Sequence, residues 1–241
     1  MSGIGSRAAV FGATGAIGGA LVHELKARGT DCVYALSRNT ATAKADGIIP
    51  LIADTLDEDS LAAAAAHIGA QGPLDTVIIA TGQLHAPGIM PEKALREIRP
   101  EAMAAIFAAN CTGPALVMKH FLPLLPRGRR ARLAVLSARV GSISDNRKGG
   151  WYSYRAAKAA LNMVVRSAAI ETARRAPEAV VVALHPGTVD SALSLPFRSF
   201  IPAGQSVAPQ IAAARLVTVL EHLHPEQSGQ LIAYDGSIIA P

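Results

Sequence analysis

The fold class follows from one stretch of the chain, Ala8-Ala9-Val10-Phe11-Gly12-Ala13-Thr14-Gly15-Ala16-Ile17-Gly18-Gly19. Its first four residues are an apolar run typical of a buried strand, and a helical pattern follows over residues 16–28. Between them, Gly12, Gly15 and Gly18 allow a tight turn and a close approach of the backbone to a ligand. A pyrophosphate would then face the N-terminus of the helix. Packing of small residues is the alternative, but a glycine turn between a strand and a helix favours dinucleotide binding.

Short apolar runs alternate with longer alanine-rich stretches along the chain, a pattern typical of a parallel sheet covered by helices. Seven strands are predicted, at residues 8–11, 32–36, 48–52, 76–80, 133–136, 180–184 and 230–233. Helices are predicted at residues 16–28, 57–68, 100–125, 152–175 and 209–223, with a weaker one at 40–46. We therefore expect one α/β Rossmann domain over residues 1–241, a doubly wound sheet of seven parallel strands with helices on both faces. The loop near 191–206 is expected to close over a substrate.

Composition narrows the class of protein. The chain has 241 residues, half of them hydrophobic and 17% charged, which excludes disorder, collagen and coiled coil. The net charge is +5, but the basic run at 127–132 is short and has no interleaved aromatic residues. We interpret this run as a solvated loop and expect no nucleic-acid partner.

The two cysteines and the longest uncharged run bear on location. Cys32 and Cys111 are too few for a disulfide framework and lack paired ligand spacing, so we expect a reducing, cytoplasmic location and no metal site. The uncharged run at 102–118 contains polar residues and a proline, so we expect a buried helix and no membrane span. No targeting segment is expected.

The end of the second predicted strand bears on cofactor choice. A residue that binds the adenosine ribose is expected about 20 residues beyond the glycine turn. Here Arg38 offers a permanently charged planar fork that suits a ribose 2′-phosphate, and no carboxylate occupies the strand end. NADP is therefore favoured over NAD, the alternative being an ordinary surface arginine. Asp54, after the third strand, is a candidate contact for the adenine amino group or a helix cap.

Tyr154 and Lys158 are four residues apart on a predicted helix, which places both on one face. A nearby cation is expected to favour the phenolate and to bring the pKa of the tyrosine closer to neutral pH. Lys158 can also hold ribose hydroxyls. Such pairs are common and usually exposed, but this one follows the fifth strand of a sheet that begins with a glycine turn.

Together these residues resemble the short-chain dehydrogenase/reductase family over essentially the whole chain. The matching features are the glycine turn, Asn110 in the helix before the fifth strand, Tyr154 with Lys158, and Pro186-Gly187 after the sixth strand. The stretches SARVGSISDN, GGWYSYRAAKAALNM, LHPGTVDSALSLPF and YDGSIIAP are similar to the C-factor and sniffer-like carbonyl reductases within that family.

The resemblance implies NADPH-dependent reduction of a ketone or aldehyde by hydride transfer. Tyr154 would be the acid–base, Lys158 would lower its pKa, and Asn110 would hold a water in a proton relay. The candidate cofactor-binding residues are Gly12, Thr14, Gly15, Ile17, Gly18, Arg38, Asp54, Tyr154, Lys158, Pro186, Gly187 and Thr188. A homodimer or homotetramer is expected through the long helices before and after the fifth strand.

Two further functions stay open. One is a cofactor-binding sensor or signalling protein with little turnover, which intact Tyr154 and Lys158 disfavour. The other is an NAD-dependent alcohol dehydrogenase, which Arg38 disfavours. The sequence leaves open the physiological substrate and the direction of the reaction in the cell.

The sequence differs from the family pattern at two places. Residues 79–82 are Ile-Ala-Thr-Gly where the family commonly has Asn-Asn-Ala-Gly. The catalytic serine of the family aligns with Ala138, and Ser137 and Ser142 are the neighbouring candidates to replace it. Trp151 and Tyr152, close to Tyr154, are candidates for the substrate mouth, with core positions as the alternative.

Overall fold

Ten strands and six α-helices make up the described part of the computed structural model, which covers residues 3–39, 45–200 and 204–241. The strands are β1 Arg7–Phe11, β2 Cys32–Ser37, β3 Ile48–Ile52, β4 Thr76–Ile79, β5 Ala131–Leu136, β6 Ala179–His185, β7 Thr188–Val189, β8 Ser206–Val207, β9 Leu231–Ala233 and β10 Ile238–Ile239. The helices are α1 Ala16–Ala27, α2 Glu58–Gly69, α3 Pro100–Phe107, α4 Gly113–Phe121, α5 Tyr152–Ala173 and α6 Pro209–His222. The weaker helix predicted at 40–46 falls mainly on residues outside the described ranges.

The main sheet has the strand order β10-β9-β6-β5-β4-β1-β2-β3. Seven of these strands are parallel, and β10 pairs with β9 in the antiparallel sense. The predicted Rossmann fold is confirmed, with two corrections: an eighth strand, β10, closes one edge of the sheet, and β7 pairs with β8 in a separate ribbon. These three strands have two residues each, too few to show a periodicity in the sequence.

Alternating side chains of the strands supply an apolar layer on each face of the sheet. On one face, Phe11 of β1 packs edge-to-face against Phe121 of α4, with ring centroids 4.7 Å apart. On the other face, Val10 packs in a cluster with residues of α1 and α6 such as Leu21 and Leu216. Helices therefore cover both faces, and the loops at the carboxyl ends of the strands are left to form a groove.

The helix predicted at 100–125 is not regular along its length. A π-helical turn, Ala108–Thr112, separates α3 from α4, and a 3₁₀ turn, Leu122–Leu124, follows α4. By length and composition alone, the whole helical stretch Pro100–Leu124 passes as a membrane span, with a mean hydropathy of 1.3. In this structure it lies against α2, α5 and β4. The π turn matters for the site because it contains Asn110.

Candidate active site

The glycine turn between β1 and α1 has the shape that its sequence predicts. Gly12 has a φ of 76°, and its N–H donates to the carbonyl oxygen of Leu36, 2.9 Å away. A Cβ on Gly18 would lie 2.1 Å from the carbonyl oxygen of Gly12, so any larger residue would force the turn and the helix apart. Thr14 and Gly15 are exposed at the helix N-terminus. The turn therefore presents bare backbone to the groove.

Arg38 lies at one end of this groove. A cavity of about 270 Å³ there is lined by Arg38, Ser37, Thr14 and Asp54, among others. Arg38 is exposed, while Asp54 is half-buried and its Oδ1 accepts a hydrogen bond from the N–H of Leu56, 3.0 Å away. Asp54 therefore shapes the local loop, and it is Asp57 that caps α2 by accepting from the N–H of Ser60.

The other end of the groove contains the tyrosine and the lysine. A cavity of about 370 Å³ is lined by Tyr154, Lys158, Ile17 and Pro186. Gly15 and residues 80–83 line both this cavity and the cavity beside Arg38. One groove thus crosses the carboxyl ends of the central strands and links the two ends of the predicted cofactor site.

Tyr154 and Lys158 lie in the first two turns of α5, and both are buried, with 8% and 2% of their surface exposed. The Nζ of Lys158 donates to the carbonyl oxygen of Leu136, 2.8 Å away, at the end of β5. The same Nζ lies 5.8 Å from the centroid of the Tyr154 ring. The spacing of four residues therefore brings the phenol and the ammonium together, as expected.

Burial controls the protonation of this pair. It raises the pKa of Tyr154 to about 12 and lowers the pKa of Lys158 to about 8. The expected fall in the pKa of Tyr154 toward neutral pH is not found, because burial disfavours the phenolate and sets this pKa. At neutral pH Tyr154 is accordingly a phenol, which can donate a proton.

Asn110 is fully buried, and its carboxamide binds backbone groups. Its Nδ2 donates to the carbonyl oxygens of Gln83, at 2.6 Å, and Ile106, at 2.9 Å. Its Oδ1 accepts from the N–H of Gln83, at 3.1 Å. A Cβ on Gly82 would lie 3.2 Å from this Oδ1 and 3.6 Å from the Nζ of Lys158, so both groups border Gly82. Asn110 braces the groove wall, and its part in a proton relay stays a prediction.

Ala138 is half-buried at the edge of a further cavity of about 250 Å³, which Tyr154 also lines. The Oγ of Ser137 donates to Oδ1 of Asn162, 2.7 Å away. The Oγ of Ser142 accepts from the N–H of Asp145, 3.1 Å away. The hydroxyl of Ser137 therefore donates elsewhere, Ser142 does not line this cavity, and the position beside Tyr154 keeps a methyl group.

The residues after β6 border the same cavity from the opposite side. Pro186, Gly187 and Thr188 line it, and Gly187 has a φ of 78°. A Cβ on Gly187 would lie 3.0 Å from the ring of Tyr234. His185 precedes this turn, and burial lowers its pKa to about 4, so its imidazole is neutral at neutral pH.

Several side chains at the site had no sequence prediction. Phe197 and Leu193, from the 191–206 loop, line the cavity beside Ala138. Glu92 is buried against the start of α5. Asn162 follows Lys158 by four residues, so helical spacing could have indicated its place behind the site. Across residues 3–39, 45–200 and 204–241, no three His, Cys, Asp or Glu residues are grouped in a way that could hold a metal ion.

The order of the strands and the groove at their carboxyl ends together define a protein of the dinucleotide-binding Rossmann class. The sequence profile of the short chain dehydrogenase family matches residues 6–200, and the chain belongs to that family.

Two relatives extend the comparison. The chain is 31% identical over 233 residues to 1-hydroxy-2-glutathionyl-2-methyl-3-butene dehydrogenase of Rhodococcus sp. (strain AD45), over 95% of this chain and 97% of that protein. It is 37% identical over 166 residues to the C-signal protein of Myxococcus xanthus, over 69% of this chain and 92% of that protein.

Solved structures share the fold. The NADPH-bound carbonyl reductase from chicken fatty liver has a TM-score of 0.83 and 23% identity, over 98% of this chain and 94% of that one. Carbonyl reductase Sniffer of D. melanogaster has a TM-score of 0.84 and 22% identity, over 98% and 99% of the two chains. These likenesses show that the chain shares the fold of these two proteins.

Proposed function

We propose that the protein is an NADPH-dependent reductase that converts a ketone or aldehyde to an alcohol. One observation carries the proposal: Tyr154, kept protonated by burial, lies beside Lys158 where a nucleotide groove meets a largely apolar cavity. A protonated phenol suits reduction, in which the substrate oxygen must gain a proton, better than alcohol oxidation, which needs a base.

The groove fits a dinucleotide with a 2′-phosphate. The bare glycine turn at the N-terminus of α1 suits the pyrophosphate, because the helix terminus favours negative charge. Arg38 would bind the 2′-phosphate, and Lys158 would hold the ribose hydroxyls next to the nicotinamide. Pro186 to Thr188 would border the carboxamide. A shared fold with an NADPH-bound reductase supports this choice.

The chemistry follows from the position of the phenol. When bound, the reduced nicotinamide supplies the hydride that adds to the carbonyl carbon. The Oη of Tyr154 donates its proton to the carbonyl oxygen as negative charge develops there. Lys158, held by the carbonyl of Leu136, stabilises the phenolate that remains. Asn110 fixes the backbone of Gln83 beside both groups.

A panel of aldehydes, ketones and quinones with NADPH tests the proposal. We expect loss of reduced-nicotinamide absorbance with stoichiometric alcohol, most readily for apolar carbonyls, because Leu84, Val140 and Trp151 line the substrate cavity. The second candidate is a cofactor-binding signalling protein with little turnover, favoured by Ala138 and by the likeness to C-signal. Tight NADPH binding without turnover on any carbonyl would support that candidate and contradict ours.

Cofactor preference is tested with Arg38→Ala. A ligand at 100 times its dissociation constant stabilises a protein by about 2.7 kcal/mol. We expect NADPH to raise the melting temperature of the wild type more than NADH does at equal concentration, and Arg38→Ala to abolish the difference. Arg174→Ala, exposed at the far end of α5, is the control. Equal shifts for both cofactors in the wild type would refute the NADP assignment.

We further propose a homodimer that buries the outer face of α4 and α5. Met163 and Ile170 of α5 are 66% and 49% exposed and lie seven residues apart on one helix face. A groove of about 360 Å³ lies between α4 and α5. Ile170→Glu should shift the sedimentation coefficient to that of a monomer, whereas an unchanged coefficient would place the interface elsewhere.

A further inference from the structure

The loop before α5 ends in an unusual backbone conformation. Gly149, Gly150 and Trp151 have φ values of 63°, 64° and 53°, so three successive residues are left-handed. The first two have no Cβ and adopt this region freely, but Trp151 does not. Among the described residues it is the one residue other than glycine with a positive φ. Surrounding contacts must hold it there.

Glu92 provides those contacts. Its carbonyl oxygen accepts from the N–H of Trp151, 2.5 Å away. Its carboxylate accepts from the N–H of Ser153, at 3.1 Å, and from the Oγ of Ser153. Glu92 is 6% exposed, and none of the salt bridges among the described residues includes it. The helix N-terminus stabilises this buried carboxylate.

The cap comes from a distant part of the chain. Trp151 itself occupies the N-cap position of α5 and makes no side-chain cap hydrogen bond. Glu92 lies 61 residues before Ser153. A local Ser or Asp at the N-cap would satisfy the helix equally well. The contact therefore does more than close a helix end, because it joins the loop that contains Glu92 to both Trp151 and Ser153.

Trp151 forms a wall between the proposed proton donor and the substrate loop. Its ring lies 5.2 Å from that of Phe197 and 6.3 Å from that of Tyr154, measured between centroids. It lines the same cavity as Ala138 and Tyr154. A change in the direction of this ring would change the size of the cavity and the packing of Phe197 from the loop.

We propose that Glu92 is a positioning residue that acts through Trp151, holding the indole as the wall that selects the substrate. The catalytic consequence rests on the proposed reductase function. The structural link between Glu92 and Trp151 does not, and it is measurable without turnover.

Intrinsic fluorescence tests the link directly, because Trp151 is the single tryptophan of the sequence. Glu92→Gln keeps the side-chain volume but removes the negative charge that faces the helix N-terminus, and it leaves one acceptor oxygen for the two donors of Ser153, so the Ser153 hydroxyl must change from donor to acceptor. We expect emission at longer wavelength and stronger acrylamide quenching. Ser153→Ala removes one donor and keeps the carboxylate, so it should change the emission wavelength and the quenching in the same direction as Glu92→Gln, but by smaller amounts. Glu97→Gln is the control, since exposed Glu97 accepts from the N–H of Lys93 in the same loop.

A double-mutant cycle tests the catalytic consequence. With a bulky apolar carbonyl, Glu92→Gln should lower kcat/KM on the order of tenfold, the change that corresponds to about 1.4 kcal/mol, with the KM for NADPH unchanged. In a Trp151→Phe background the same substitution should add little. The proposal would be overturned if Glu92→Gln lowered kcat/KM by the same factor in the Trp151→Phe background as in the wild type. It would also be overturned if the fluorescence of Glu92→Gln equalled that of Glu97→Gln. If Glu92→Gln alters the fluorescence but the wild type reduces no carbonyl, the link between Glu92 and Trp151 is supported and only the reductase function is refuted.

Discussion

At the residue scale, burial sets the charge of the two side chains on which the proposed chemistry depends. Burial keeps Tyr154 protonated and lowers the pKa of Lys158 to about 8. The sequence predicted that the two side chains meet, because helical spacing is local. It could not predict their pKa values, because desolvation depends on how the 80–83 backbone and the end of β5 cover them.

The lysine makes stability depend on pH. Burial lowers the pKa of Lys158 from its ordinary value of 10.5 to about 8 in the folded chain. Between these values the unfolded chain binds more protons than the folded one, so stability rises with pH. Relative to Lys158→Met, the wild type should gain on the order of 2–3 kcal/mol across this window. Urea unfolding at a series of pH values measures the difference. Lys148→Met, at an exposed site, should follow the wild type, and parallel curves for Lys158→Met and the wild type would contradict the assigned pKa.

The alanine beside the phenol leads to a second prediction. A hydroxyl at position 138 would add a donor for the substrate oxygen, and one such donor is worth about 2.7–4 kcal/mol where it is fully used. We expect Ala138→Ser to raise kcat/KM for small carbonyls. Ser142→Ala should leave it unchanged, since that hydroxyl accepts from the backbone of Asp145. Ser137→Ala should lose about 1 kcal/mol of stability with its bond to Asn162. If both Ala138→Ser and Ser142→Ala lower kcat/KM, Ser142 takes the place of the family's catalytic serine.

At the scale of elements, the sequence predicted the succession of strands and helices along the chain, because each long strand is a short apolar run and each helix is a longer alanine-rich stretch. Strand bounds agree with the structure to within two residues at each end. The interruption at Ala108–Thr112 was not predicted. That turn coincides with hydrogen bonds from Asn110 to Gln83, 27 residues earlier in the chain, and no local pattern encodes such a contact.

The glycine turn is the element most sensitive to substitution. Gly18→Ala places a Cβ 2.1 Å from the carbonyl oxygen of Gly12. Overpacking of this kind destabilises a protein by roughly 1–3 kcal/mol. NADPH binding should weaken with it, because the turn must open. Gly19→Ala on the same helix is the control, with its nearest contact at 3.2 Å from Ala13. Urea unfolding and cofactor titration measure both effects, and a Gly18→Ala protein as stable as Gly19→Ala would disprove the close approach.

At the scale of the whole molecule, the site gathers residues from loops far apart in the sequence. Motifs located the glycine turn, Arg38 and the tyrosine–lysine pair, each of which is defined by local spacing. Glu92 and Phe197 could not be found in this way, because each contributes through contacts with Trp151 that exist only after the loops pack.

In the proposed NADPH-dependent reduction Tyr154 donates the proton, and a single substitution separates this role from cofactor binding. Tyr154→Phe keeps the ring and removes the donor, so kcat should fall on the order of 10²-fold or more while NADPH binds as before. Tyr152→Phe, two residues earlier and half-buried, should retain activity. The measurement is the rate of reduced-nicotinamide loss with a saturating carbonyl, alongside NADPH titration of each variant. If Tyr154→Phe reduces the carbonyl at the wild-type rate, Tyr154 is not the proton donor.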